Sequence, residues 1–193
     1  MLRKLVLIAS VLTLAVLSGS QSGGAGLVVK RHSSGITLLD GTLDPGRPPS
    51  RSEVGEVYQS AVDLARLYPD DLSWPWIDQG ERVVVTTTNA RGVALSDQIR
   101  ARAASKSPAA KVSTRAVANN MRTLDRVMNE LIGRQADGTI IWSSYPDPRN
   151  NRIVIDVVDP TDAFLDRLAQ TYGTELVAVH TVDRAEVGGG GGA

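Results

Sequence analysis

The sequence predicts an α+β domain made of two β-hairpin–helix–strand units and one connecting helix. Three observations predict this class. Runs rich in β-branched residues at 82–88 and 152–158 indicate strands. Residues 119–133 carry apolar side chains at the spacing of an amphipathic helix. The same order of aromatic residue, turn and strand occurs at 76–85 and again at 145–155.

The N-terminus has the three parts of an export signal. A short basic start precedes an apolar run at 5–17, and small residues follow at 18–26. The run is shorter than the roughly 20 apolar residues that span a bilayer comfortably. We therefore expect residues 1–20 to be a signal peptide or an uncleaved N-terminal anchor. A bacterial lipoprotein signal would need a cysteine where Ser20 stands.

Composition divides the rest of the chain. Gly, Ser and Pro dominate much of 21–50, which we interpret as a flexible linker, although its short apolar runs can still pack on the domain. Residues 51–185 are predicted to form the α/β domain. Five consecutive glycines mark 186–193 as a flexible Gly-rich tail.

The first part of the domain alternates helices and strands. Apolar spacing predicts helices at 52–68 and 92–104, and the latter follows the strand at 82–88. A second strand is predicted at 111–117. The connecting helix at 119–133 can be capped by one of the two asparagines at its start.

The last third gives the clearest hairpin. Strands are predicted at 138–145 and 152–158, with a turn between them. A helix is predicted to follow, with Asp159 as its N-cap and Pro160 at its first position. Residues 176–182 form a closing strand.

The two hairpins share a pattern of an aromatic residue, any residue, an aspartate, a turn, an arginine and a strand. An aspartate opens a turn by accepting backbone N–H bonds, and the aromatic ring packs on the sheet. The residues are Trp76, Asp78 and Arg82, and then Tyr145, Asp147 and Arg152. The pattern indicates duplicated units at 70–117 and 138–183, with chance similarity as the alternative.

The segment 71–78 leading into 82–85, together with Trp142, Asp147, 151–155 and Tyr172-Gly173, resembles pro-regions of secreted actinobacterial serine proteases of the alpha-lytic protease and streptogrisin type. The resemblance covers roughly residues 55–183. It implies a small α/β segment that assists protease folding and inhibits the enzyme. The chain contains no Gly-Asp-Ser-Gly-Gly nucleophile segment, so we expect a stand-alone relative of the pro-region.

Composition excludes several chemistries. The absence of cysteine excludes disulfides, thiolate metal sites and a cysteine nucleophile. Zero net charge argues against a nucleic-acid binder. We predict no catalytic, cofactor-binding or metal-binding residues and therefore no enzyme. His32 falls in the predicted linker, and His180 is expected to point to solvent or a sheet edge; a hydrolase using His180 is the alternative.

Charge is unevenly distributed along the chain. Residues 91–115 hold six bases and one acid, a net charge of +5, whereas residues 136–193 hold four bases and nine acids, a net charge of −5. These stretches are interpreted as solvated faces that partly neutralise each other. The alternative is that 91–115 forms a basic surface for an anionic partner.

The aromatic residues of the hairpins are the candidate binding residues. They are Trp74, Trp76, Trp142 and Tyr145. Each is explained either by packing on a sheet or by a partner surface. We expect an exported, non-enzymatic binding domain that is secreted or anchored at the outer face of the cytoplasmic membrane. Its expected partner is a secreted protease or an envelope protein. The alternative is a structural or assembly module that associates with the membrane through residues 5–17.

Overall fold

The computed structural model of the chain describes residues 27–43, 52–132, 135–136 and 139–183. The predicted signal segment at 1–20 and the Gly-rich tail at 186–193 lie outside the described residues. Within them, helices and strands form two sheets, which confirms the predicted α+β class.

The helices are α1 (Ser52–Leu67), α2 (Ala90–Lys106), α3 (Met121–Leu131) and α4 (Asp162–Tyr172). The strands are β1 (Val28–Arg31), β2 (Thr37–Asp40), β3 (Trp76–Ile77), β4 (Arg82–Thr87), β5 (Lys111–Ala116), β6 (Gln135–Ala136), β7 (Thr139–Asp147), β8 (Arg152–Val157) and β9 (Val177–Thr181).

The smaller sheet has the order β3-β4-β5. Strand β3 is antiparallel to β4, and β5 returns parallel to β4 after the α2 crossover. Helices α1 and α2 cover one face, where Val83 and Val85 are buried with Leu95 and Ile99. Because Pro75 has no backbone N–H to donate, it suits the end of the two-residue edge strand β3.

The larger sheet has the order β1-β2-β9-β8-β7-β6. Strand β7 is antiparallel to β8, and β9 returns parallel to β8 after α4. Helices α3 and α4 cover one face, and Phe164 is the largest fully buried side chain of that core. Alternating residues of β8, among them Ile153 and Ile155, point into the same core because strand side chains alternate between faces.

The two units have the same strand pairing. Trp76 lies opposite Val84 in the first hairpin, and Tyr145 lies opposite Val154 in the second. In both units the helix then carries the chain to a strand parallel to the second strand of the hairpin. The repeated sequence pattern therefore corresponds to one repeated topology.

The prediction of a flexible linker is wrong for residues 27–43. The segment forms a hairpin, β1 and β2, and β2 adds to the larger sheet in parallel with β9. Its short apolar runs supply buried side chains, because Ile36 and Leu39 are almost fully removed from solvent. Burial of these side chains offsets the entropy of ordering the segment.

The predicted start of α4 is also wrong. Its N-cap is Thr161, whose hydroxyl oxygen accepts the backbone N–H of Phe164 at 3.2 Å. Asp159 instead adopts a positive φ of 49° in the turn before it. The N-cap of α3 is Asn120, one of the two predicted candidates, and it accepts the N–H of Thr123.

Asn151 joins the two units. Its side-chain oxygen accepts the backbone N–H of Asn119 at 2.6 Å, and its amide group donates to the Ser73 hydroxyl and the Asn119 carbonyl. The Asn119 side chain donates in return to the Asn151 carbonyl. Asn151 is buried and has a positive φ of 53°, a conformation that asparagine tolerates better than most residues.

Trp74 provides an apolar contact between the two units. Its ring packs against both cores, and its indole N–H donates to Asp125 of α3 at 3.0 Å. A buried indole needs such a partner, since an unsatisfied donor is costly. The contact between the two units therefore combines one shared aromatic ring with the hydrogen-bonded cluster around Asn151.

We predict that Asn151→Ala lowers the free energy of unfolding by about 3 kcal/mol, because buried partners lose their hydrogen bonds and alanine disfavours a positive φ. Asn151→Gly removes the same hydrogen bonds without the backbone cost and is expected to lose about 2 kcal/mol. Urea unfolding measures both values. The control, Asn150→Ala, removes only one exposed side-chain bond to Asp147 and should change the free energy by less than about 1 kcal/mol. Equal effects at positions 150 and 151 would contradict this account.

Candidate functional site

The open face is the face of the larger sheet opposite α3 and α4. Its apolar floor consists of Leu39, Val154 and Ala178, which pack with Leu43 and Tyr145. Among the described residues, no helix contributes to this cluster. Leu39, Val154 and Ala178 are themselves almost fully buried, so the exposed part of the open face lies at the border of this cluster.

An irregularity in β7 determines which side chains reach this face. Ile141 pairs with Val157 and lies in the helix-covered core, but Ser143 pairs with Asp156, so Trp142 is one extra residue. The bulge reverses the alternation of the residues that follow it. Without the bulge, Ser143 and Tyr145 would point into the helix-covered core.

Asp156 is the centre of the polar network on the open face. It accepts hydrogen bonds from the hydroxyl groups of Ser143 and Tyr145 and, at 2.8 Å, from Nδ1 of His180. The strand register produces this arrangement, because Asp156 pairs with Ser143 on β7 and with His180 on β9. An acid in the middle of an apolar strand thus receives donors from both neighbouring strands.

The prediction that His180 points to solvent or a sheet edge is wrong. The ring lies on the inner strand β9 and is largely buried, with Nε2 at 2.8 Å from the carbonyl oxygen of Gly41. A backbone carbonyl and a carboxylate only accept hydrogen bonds. Each ring nitrogen of His180 therefore faces a hydrogen-bond acceptor.

This network has a chemical consequence for Ser143. In a serine hydrolase, an imidazole nitrogen takes the proton of the nucleophile. Here the Ser143 hydroxyl donates to Asp156, and both nitrogens of His180 already face other acceptors. In this geometry, His180 does not act as a base for Ser143, so the cluster supports a binding surface better than a hydrolytic relay.

Tyr145 is held in its neutral form. Its partial burial is the main cause that raises the pKa of its phenol above the usual value of 10, and the negative charge of Asp156 raises it further. The hydrogen bond to Asp156 and the charge of Asp147 act in the same direction. The phenol is therefore a hydrogen-bond donor throughout the neutral range.

The four aromatic candidates lie in different parts of the structure. Trp142 is 48% exposed, and Ile140, two residues before it, is 38% exposed. The two side chains form an apolar border beside the polar network. Tyr145 belongs to the network itself. Trp76 is partly buried in the smaller sheet, and the Arg115 guanidinium lies over its ring, 5.4 Å from the ring centroid. Trp74 packs between the cores and does not belong to this surface.

His32 lies in the β1–β2 turn, which is not a linker. Its Nδ1 contacts the Ser34 hydroxyl, and its Nε2 lies 3.3 Å from Asp162 at the start of α4. His32 and the His180 contact at Gly41 therefore lie at opposite ends of β2. The two histidines belong to separate sites.

Sequence reasoning did not single out Asp156 or Ser143 as a pair. The available signal was an aspartate inside a β-branched strand, since a buried carboxylate needs donors from its neighbours. The bulge that brings Ser143 opposite Asp156 has no glycine or proline to mark it. Comparison with known proteins adds no further residue, because no protein-family model and no curated protein matches the chain.

We predict that Tyr145→Phe reduces the alkaline sensitivity of the fold. Because the pKa of Tyr145 is raised in the folded state, its contribution to stability is complete below pH 10 and is lost as the pH rises above that value. The decrease in unfolding free energy between pH 9 and about pH 11 should therefore be shallower in the variant. Urea unfolding across this range tests it, with Tyr68→Phe, in the smaller-sheet core, as the control. Parallel pH profiles for the wild type and Tyr145→Phe would refute the assignment.

Proposed function

We propose that the chain is an exported, non-enzymatic binding domain at the cell envelope and that the open face contacts a protein partner. The observation that carries the proposal is the combination of exposed Trp142 and Ile140 with a polar centre that is already hydrogen-bonded. Partly exposed tryptophan beside satisfied polar groups is typical of the residues that dominate protein interfaces.

The sequence of the N-terminus supports export. A basic start, an apolar run at 5–17 and small residues at 18–26 are typical of a signal peptide. Within the described ranges, no helix is both long and apolar enough to cross a membrane. The alternative is a module that the uncleaved run at 5–17 tethers to the membrane.

N-terminal sequencing of the protein purified from the producing cells distinguishes these two forms. We expect a mature chain that begins within residues 18–26, because the small residues there suit a signal peptidase. A mature chain that retains Met1 and fractionates with membranes would instead support the tethered module. The measurement needs no knowledge of the partner.

The resemblance to protease pro-regions supplies a partner class. A pro-region-like domain would bind a secreted serine protease and slow it, and the open face provides an aromatic contact for that complex. The hairpin that carries Trp142 and Tyr145 is one of the two parts of the chain where the resemblance includes a tryptophan and an aspartate.

We predict that the purified chain inhibits a secreted serine protease of the alpha-lytic or streptogrisin type and that Trp142→Ala raises the concentration for half-inhibition more than tenfold. Loss of a tryptophan that anchors an interface commonly costs at least about 2 kcal/mol. The matched control is Leu67→Ala, which removes an exposed apolar side chain from α1. Protease activity on a chromogenic peptide measures the effect.

Two results would count against the proposal. Absence of inhibition and of co-purification at micromolar concentration would reject the protease partner. If Trp142→Ala and Leu67→Ala changed inhibition equally, the open face would not be the contact surface. Circular dichroism of both variants distinguishes lost binding from lost folding.

A further inference from the structure

A groove of about 360 Å³ lies between α1 and α2, away from the open face. Its volume is within the range of small-molecule sites, roughly 300 to 1,000 Å³. The apolar part of its wall is formed by Val57, Leu64, Ile99 and Ala103. All but Leu64 are buried members of the core that covers the smaller sheet.

Two rows of side chains border the groove. On α1 the row is Glu56, Ser60 and Leu64, and on α2 it is Gln98, Arg102 and Lys106. Residues four apart lie on one face of a helix, so each row forms a ridge. The small side chains of Ser60 and Ala103 leave space between the ridges, which explains why the helices do not close over their shared core.

Three charged side chains line the groove. Arg102 and Lys106 stand one turn apart on α2, where like charges destabilise a helix slightly. In the part of the chain that the structure describes, neither side chain forms an ion pair or hydrogen bond, and the same holds for Glu56 across the groove. The basic stretch at 91–115 thus places two uncompensated cations beside an apolar floor.

We propose that this groove binds a single-chain amphiphile with one carboxylate. The alkyl chain would lie on the floor of Val57, Leu64 and Ile99, and the carboxylate would accept hydrogen bonds from Arg102 and Lys106. Charge complementarity selects a monoanion, because two cations and one acid leave a net charge of +1. Glu56 opposes a second negative charge on the head group, which reduces the gain from a doubly charged ligand.

The test uses the full chain and sodium octanoate as the probe, with octanol and octyl phosphate as comparison ligands. Backbone amide NMR titration reports binding at residues 99–106 independently of the apolar segment at 5–17. We expect Arg102→Gln and Lys106→Gln each to weaken octanoate binding about tenfold, since each removes a charge-assisted hydrogen bond. Glu56→Gln should tighten binding, because it removes the opposing charge.

Two further variants make the test specific to the groove. Ser60→Trp should abolish binding by filling the space between the ridges. Lys111→Gln removes an exposed cation that does not line the groove and should leave binding unchanged. Unfolding midpoints of all variants verify that each remains folded.

The inference is overturned if octanoate shifts no amide in α1 or α2, or if octanol binds as well as octanoate. It is also overturned if Lys111→Gln weakens binding as much as Arg102→Gln does. The groove lies on helices that do not contribute to the open face, so failure here leaves the proposed partner surface untouched. Inhibition of a protease, conversely, gives no signal from this site.

Discussion

The position of Asn151 is the constraint on which the arrangement of the molecule depends. One side chain satisfies Asn119 and Ser73, which belong to the first unit and its exit, from the turn of the second hairpin. The positive φ at this residue shapes that turn, so the geometry that closes the hairpin is the geometry that aims the amide group at its partners. Trp74 adds shared apolar packing, and the polar contacts supply the direction that packing alone does not provide.

With the two units in contact in this way, each sheet has one face that is covered by helices. In the larger sheet, α3 and α4 are both used on the same face, and the opposite face is formed by strand residues. An acid on such a face requires donors, because its strand neighbours otherwise bury it beside apolar side chains. The bulge at Trp142 supplies them by turning Ser143 and Tyr145 toward Asp156. The same extra residue places an exposed indole next to the network, so a single irregularity generates both the polar centre and its apolar border.

Much of the fold follows from local pattern. The helices and the paired strands of both units are predicted from apolar spacing and β-branched runs, because their cores require those side chains at those intervals. The β1–β2 hairpin is not predicted, since its strands are short and lie close to glycines and serines. Pairing of β2 with β9, which the local sequence does not reveal, stabilises their extended conformation. Asp159 was predicted as a cap from its proximity to Pro160, whereas the competing hydroxyl of Thr161 caps α4. At the site, Trp142 and Tyr145 were predicted, but Asp156, Ser143 and His180 meet through register, which depends on a bulge that composition does not mark.

The two polar regions of the molecule differ in a way that bears on function. On the open face, each hydrogen-bonding group of the Asp156 cluster has a partner within the chain, so a ligand would gain little by competing for them. A partner there gains mainly from apolar contact with Trp142 and from shape, which suits a protein surface. In the groove, Arg102 and Lys106 have no partner among the residues that the structure describes, and an anion would remove the repulsion between them as well as form new bonds. The zero net charge of the chain therefore averages over two different surfaces. The polar groups of the open face are hydrogen-bonded within the chain, whereas the cations of the groove would gain a partner when an anion binds.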